Sequence, residues 1–173
     1  KKNVLQQLHY LEQQLKQADL AHSMQQQYPE GFVFVHALYG LTWCAIARFE
    51  DTHSAVFLKA VAEATNALHE IESEQGRRNF DQQLLPSYGI FYRGWHNYLW
   101  GKLLALQTAS DQHDELRYET NCRQIAQALF RDGSPYPESY RHAVWPADAF
   151  VAVASLRMHD RLFVPQYDSL IAS

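Results

Sequence analysis

Asp148 follows a Trp-Pro pair and heads an almost wholly apolar run, VWPADAFVAVASL, from Val144 to Leu156. With Pro146 as the first helical residue the aspartate becomes the third, where the helix dipole and the unpaired backbone N–H groups favour the ionised carboxylate. The same placement starts a helix and presents a base or nucleophile rather than a proton donor. Glu30 and Glu138 each follow a proline in the same way, in YPEG and YPES. They are the candidates for the matching proton donor, or else further early-turn acids.

The densest polar-aromatic cluster is YRGWHNY, Tyr92 to Tyr98. Arg93 within an otherwise apolar helix is costly unless it is paired or reaches solvent. It either clamps an anionic group of a ligand bidentately or forms a structural salt bridge with a neighbouring acid, Asp148 among the candidates. Tyr92 and His96 are four residues apart on one helical face, fit for acid/base work or for hydrogen-bonded places in the core. Tyr140, Arg141, His142 and Trp145 carry a similar mixture ahead of Asp148. Trp95 and Trp145, with Trp43 and Trp100, can stack on sugar rings or fill the interior.

Other chemistries find less in the chain. His36, His96 and His142 come from three different segments and permit a three-histidine metal site, but no HExxH spacing accompanies them and no metal is expected. Cys44 lies in an apolar run, and Cys44 and Cys122 form no CxxC or Cys/His cluster, so neither structural zinc nor a disulfide framework is expected. GxSxG, GxGxxG and P-loop patterns are missing, and no cofactor is expected.

The elements that must position these groups are helices. Glycine and proline sit mostly at segment boundaries, and no run combines β-branched alternation with hairpin turns. Residues 1–27 place Val4, Leu5, Leu8, Leu11, Leu15 and Leu20 on one face, predicting one or two amphipathic helices. Thereafter a pattern recurs: an aromatic-rich lead-in, a nearly continuous apolar helix, a break, then a polar amphipathic helix. This predicts an all-α chain with hairpin units at 28–84, 85–135 and 136–173, the last incomplete. Expected caps are Asp51, with Gly76 as the following stop, then Ser110 or Asp111, with Gly133 as stop. In the third unit HDRLF reads as a break before a short end segment. Setting Trp95 on Trp145 brings Leu106 onto Leu156, an offset of 50 residues. In each hairpin the helix that is apolar all round is the inner layer and the amphipathic one the outer.

At 173 residues, 47% hydrophobic and 20% charged, the chain is long enough to bury a core as one helical domain. The net charge is −4 and the 15 basic residues are scattered, which disfavours nucleic acid and anionic lipid as partners. The longest apolar run, Gly31 to Ala47, is shorter than the roughly 20 residues of a membrane span and reads as a helix buried on all sides. The chain begins at Lys1 with no charged-then-apolar leader, so a targeting segment is expected to be absent or removed.

Inner apolar helices led in by aromatic, acidic and basic loops resemble the (α/α) toroids, the six-hairpin family of glycoside hydrolases, uronyl hydrolases, sugar epimerases and polysaccharide lyases. The resemblance is architectural and covers residues 28–173. It implies a cleft at one end of the barrel, where the lead-ins gather aromatic platforms and carboxylates. On that plan Asp148 with Glu138 or Glu30 forms the acid/base pair, and Tyr92, Arg93, Trp95, His96, Tyr140, Arg141, His142 and Trp145 bind the ligand, a saccharide or other polar small molecule. Three hairpins make about half of such a ring. A homodimer, a missing second half of a longer chain, or an open α-solenoid would each complete the arrangement. The alternative is a non-catalytic helical-repeat module that binds a peptide or protein, with Arg93 and Asp148 as a structural pair.

Overall fold

The computed structural model describes residues 2–107, 111–131 and 136–172. The described residues form nine helices and no strand, with one isolated bridge between Tyr140 and Ala143. The chain is all-α. No described helix is long and apolar enough to cross a membrane. The chain divides into two units, Lys1–Asn79 and Phe80–Ser173.

The first unit holds α1 (Lys2–Gln17), α2 (Leu20–Gln27), α3 (Gly31–Ala47), α4 (Ala55–Glu72) and the short α5 (Glu74–Arg77). Leu8 is the fully buried member of the α1 stripe, and the chain breaks after α1 at Asp19, whose φ is 54°. The pairings Tyr39 with Glu63 and Lys59 with Trp43 show that α3 and α4 run antiparallel. A side chain on Gly31 would collide with the Met24 carbonyl, which is how closely α2 and α3 approach.

Three details depart from the sequence reading. The N-cap of α4 is Ser54, whose hydroxyl accepts the Phe57 N–H at 3.1 Å; Asp51 instead accepts the His53 N–H in the preceding turn. The helix stops at Ser73, and Gly76 lies inside α5, where any Cβ would meet the Ile71 carbonyl. Glycine is there for close approach to α4, not to end it. Nor is α3 buried on all sides, since Phe34 and Leu38 on its outer face are exposed.

The second unit holds α6 (Gly89–Leu104), α7 (Gln112–Leu129), α8 (Pro146–Leu162) and the short α9 (Asp168–Ile171). Asp111 caps α7 by accepting the His113 N–H at 3.0 Å; Ser110 and Gly133 lie outside the described residues. Gly94 lies against the Ala152 backbone and Asn97 meets Ser155, so α6 and α8 run parallel. Tyr118 and Cys122 show α7 lying antiparallel across both, through Tyr118 to the Ser155 carbonyl and Cys122 to Asn97. Asn97 and Ser155 are 58 residues apart in the chain.

HDRLF is not a break. The helix runs through it to Leu162 because His159 and Asp160 are both buried. Asp160 accepts the backbone N–H groups of Gln166, Tyr167 and Asp168, and its neighbour His159 lies among the rings of Tyr118, Phe163 and Tyr167. One carboxylate thereby satisfies the donors of the turn that leads into α9.

Candidate functional site

Parallel α6 and α8 bring two helix N-termini to one end of the second unit. The segment 136–145 joins them: the Glu138 carbonyl accepts the Ile90 N–H at 2.9 Å, and Gly89, at φ 82°, leaves room for the Ser139 carbonyl. Asp148 is the third residue of α8, and its carboxylate accepts the hydroxyl of the fully buried Ser139. The Glu138 carboxylate accepts the His142 backbone N–H at 2.6 Å, which ties down a loop that turns through His142 at φ 63°. The His142 ring is exposed.

The aromatic groups at this end pack on one another. Phe80 stacks on Tyr140 at 5.4 Å, and Tyr140 meets Trp145 edge-on at 5.7 Å. Trp145 keeps 49% of its surface exposed. Arg141 pairs with Asp81, donating from Nε at 2.8 Å. The Gln83 N–H and the Arg141 guanidinium hold the Asp81 carboxyl below the usual range.

Arg93 donates to Asn121 Oδ1 at 3.0 Å, with its guanidinium 5.9 Å from the rings of Tyr88 and Tyr92. An amide on α7 and two aromatic rings thus lie against the guanidinium. Tyr92 and His96 are both buried, their rings stacked at 5.9 Å, with His96 held in turn against Trp100; they belong to the core of the helix pair. Trp95 is half-buried beside Phe91.

The structure thus gathers Asp148, Glu138, Tyr140, Arg141, His142 and Trp145 on one segment, with Arg93 one turn into α6. Glu30 is the residue before α3, in the first unit.

A second candidate lies wholly within the first unit. A cleft of about 580 Å³ opens between α1 and α2 on one side and α3 and α4 on the other. Glu63 forms one of its walls: Oε2 accepts the Tyr39 hydroxyl and Oε1 accepts Lys16 Nζ, both at 2.9 Å. Lys16 also reaches Glu12 at 2.9 Å, and Lys59 reaches the same carboxylate at 2.7 Å. Burial raises the Glu12 carboxyl, and the two lysines more than reverse this, leaving it at about 2. The bond to Glu63 raises Lys16, and burial pushes the Tyr39 phenol well above its ordinary value.

Across the cleft, His36 is 7% exposed and its Nδ1 bonds the Phe32 carbonyl at 2.8 Å. Burial lowers the imidazole, with the Phe32 carbonyl acting the other way, so the ring favours its neutral form. Sequence reasoning passed over this cleft. The signal was Glu63, a carboxylate on the stripe of α4 that otherwise buries Ala60, Ala64, Ala67 and Ile71.

Among the described residues no group of three His, Cys, Asp or Glu side chains is placed to hold a metal ion. His36 belongs to one unit and His96 and His142 to the other. Both cysteines are buried, and burial pushes the Cys122 thiol up to about 12.

Fold and sites together define an all-α protein with an aromatic-acidic helix mouth in one unit and a polar cleft in the other. Comparison of the chain with protein-family models, with curated proteins and with solved structures finds no match.

Proposed function

We propose that the chain is a helical-hairpin repeat of the toroid type that binds a saccharide or similarly polar ring at the common mouth of α6 and α8, as an enzyme or part of one. The observation that carries this reading is that the half-exposed Trp145 shares one short segment with two carboxylates, Asp148 and Glu138, at the end of the second unit where the parallel helices α6 and α8 begin. Aromatic platforms take the apolar faces of sugars, and carboxylates take their hydroxyls and supply acid/base groups. Asp148, at the dipole-favoured end of α8, acts as base or nucleophile and Glu138 as proton donor. Arg93 and Arg141 flank the site as anchors.

The test is a panel of neutral and uronic-acid oligosaccharides, followed by tryptophan fluorescence and by release of reducing ends. Trp145→Ala should abolish binding, and Asp148→Asn should retain binding while losing turnover. Turnover unchanged in Asp148→Asn would remove Asp148 from catalysis.

A second reading is favoured by two observations: Glu138 and Asp148 are already engaged by the loop, and Phe150 on α8 is 75% exposed. The same end then docks a peptide or protein without catalysis. The two readings part on the oligosaccharide panel, where only the first expects binding lost in Trp145→Ala; on the second, Phe150→Ser should release a partner, a second copy included, by light scattering.

A further inference from the structure

We propose that the cleft of the first unit is a binding site for a small organic ammonium ion, a primary amine or diamine with a short carbon body. This site is separate from the mouth of α6 and α8 and does not depend on the saccharide reading.

Three observations carry the assignment. The first is charge. Glu12, Asp19, Glu63 and Glu70 line the cleft, and Lys16 is its single lysine or arginine. Lys16 is shared between Glu12 and Glu63, Lys59 also reaches Glu12 and His22 lies against Asp19, which leaves Glu70 as the lining carboxylate that no lysine or arginine of the described residues pairs. Such a cleft concentrates cations and repels carboxylates and phosphates.

The second is the acceptor at its base. Nδ1 of His36 is held by its own helix, so Nε2 is the nitrogen that this lining residue has left for the cleft, and no described group bonds it. An Nδ1–H tautomer makes Nε2 a lone pair. A ring 93% buried whose second nitrogen stays open as an acceptor can take an N–H from a ligand in place of water, and an ammonium supplies one.

The third is the wall between these charges. Phe32 lies 4.5 Å from the His36 ring and 5.4 Å from His22. Phe32, 3% exposed, is an apolar part of the cleft wall and gives cover for a short carbon body. The volume of about 580 Å³ suits a small molecule. A bare metal ion is a poor fit, because no three ligating side chains of the described residues converge there.

The full chain is titrated with 1,4-diaminobutane and with phenethylammonium, against 1,4-butanediol and 2-phenylethanol as neutral isosteres and benzoate as an anion, by amide-resolved NMR. Both amines are expected to shift residues of α2, α3 and α4, and the alcohols to bind at least about tenfold more weakly. Glu70→Gln changes a solvent-facing side chain and should leave the fold intact while weakening the amines by about threefold or more. His36→Gln should lose diamine binding while its spectrum shows the same fold; if it unfolds, Glu70→Gln decides alone. Equal affinity for amine and alcohol, preferential binding of benzoate, no shifts at about 10 mM amine, or an unaltered affinity in Glu70→Gln would each overturn the proposal.

Discussion

Asn97 on α6 donates its side-chain amide to the Cys122 sulfur on α7 at 3.1 Å and to the Ser155 hydroxyl on α8 at 3.4 Å. One fully buried amide therefore touches all three long helices of the second unit. Its Oδ1 is buried with no hydrogen-bond partner among the described residues, so the two bonds of Nδ2 are what hold this amide in the core, and a register that broke them would leave the whole group unsatisfied.

The state of that layer is readable through its thiol. Burial holds the Cys122 thiol up at about 12, with Asn97 and Tyr118 acting the other way, so almost no thiolate exists at pH 8. Iodoacetamide should leave Cys122 unmodified in the native protein and alkylate it in guanidinium. Asn97→Ala should open the site to labelling under native conditions.

Acid should weaken the first unit through Glu12. Its folded carboxyl titrates at about 2, against an ordinary 4.5. A lowered acid adds stability above the unfolded value and loses it as pH falls through the folded one. Urea midpoints of the first unit should therefore fall between pH 4.5 and about 2. Glu12→Gln should lower the midpoint at pH 6 and flatten its slope over that window.

Gly94 marks the closest approach of α6 to α8. A Cβ built on it would lie 3.1 Å from the Ala152 nitrogen. A branched side chain there must force the helices apart, so Gly94→Val should cost about 1–3 kcal/mol of second-unit stability, measured by denaturation.

Asp160→Ala removes the acceptor for three backbone N–H groups and for the His159 ring. Burial raises this carboxyl and those bonds more than reverse it, so it stays ionised in the folded state. The variant should lose about 3 kcal/mol. Asp168→Ala, on the exposed side of the same turn, should change stability by less than about 0.5 kcal/mol.

The helices were legible where one residue type decides locally. Pro146 and Asp148 announce the start of α8, and the apolar run from Gly31 announces α3. What depends on partners distant in the chain was not. Nothing near Arg93 says that its amide partner is Asn121 on the next helix, or that Glu30 and Asp148 fall in different units. Ser54 wins the cap of α4 from Asp51 because the turn Asp51 forms places the serine next to the first free N–H groups. The cleft of the first unit needed α1 and α2 folded against α3 and α4, which no local pattern encodes, although Glu63 hinted at it.

The parallel pairing of α6 with α8 also sets a timetable. In the first unit the bond from Tyr39 to Glu63 closes 24 residues, whereas Asn97 waits for Ser155, 58 residues on. At ribosomal speeds of about 5–20 residues per second, α6 spends about 3–12 s in the nascent chain before the helix that covers it has been made. During that interval its glycine-lined face is a target for chaperones, and slowing or speeding translation of residues 136–162 should change the yield of folded protein.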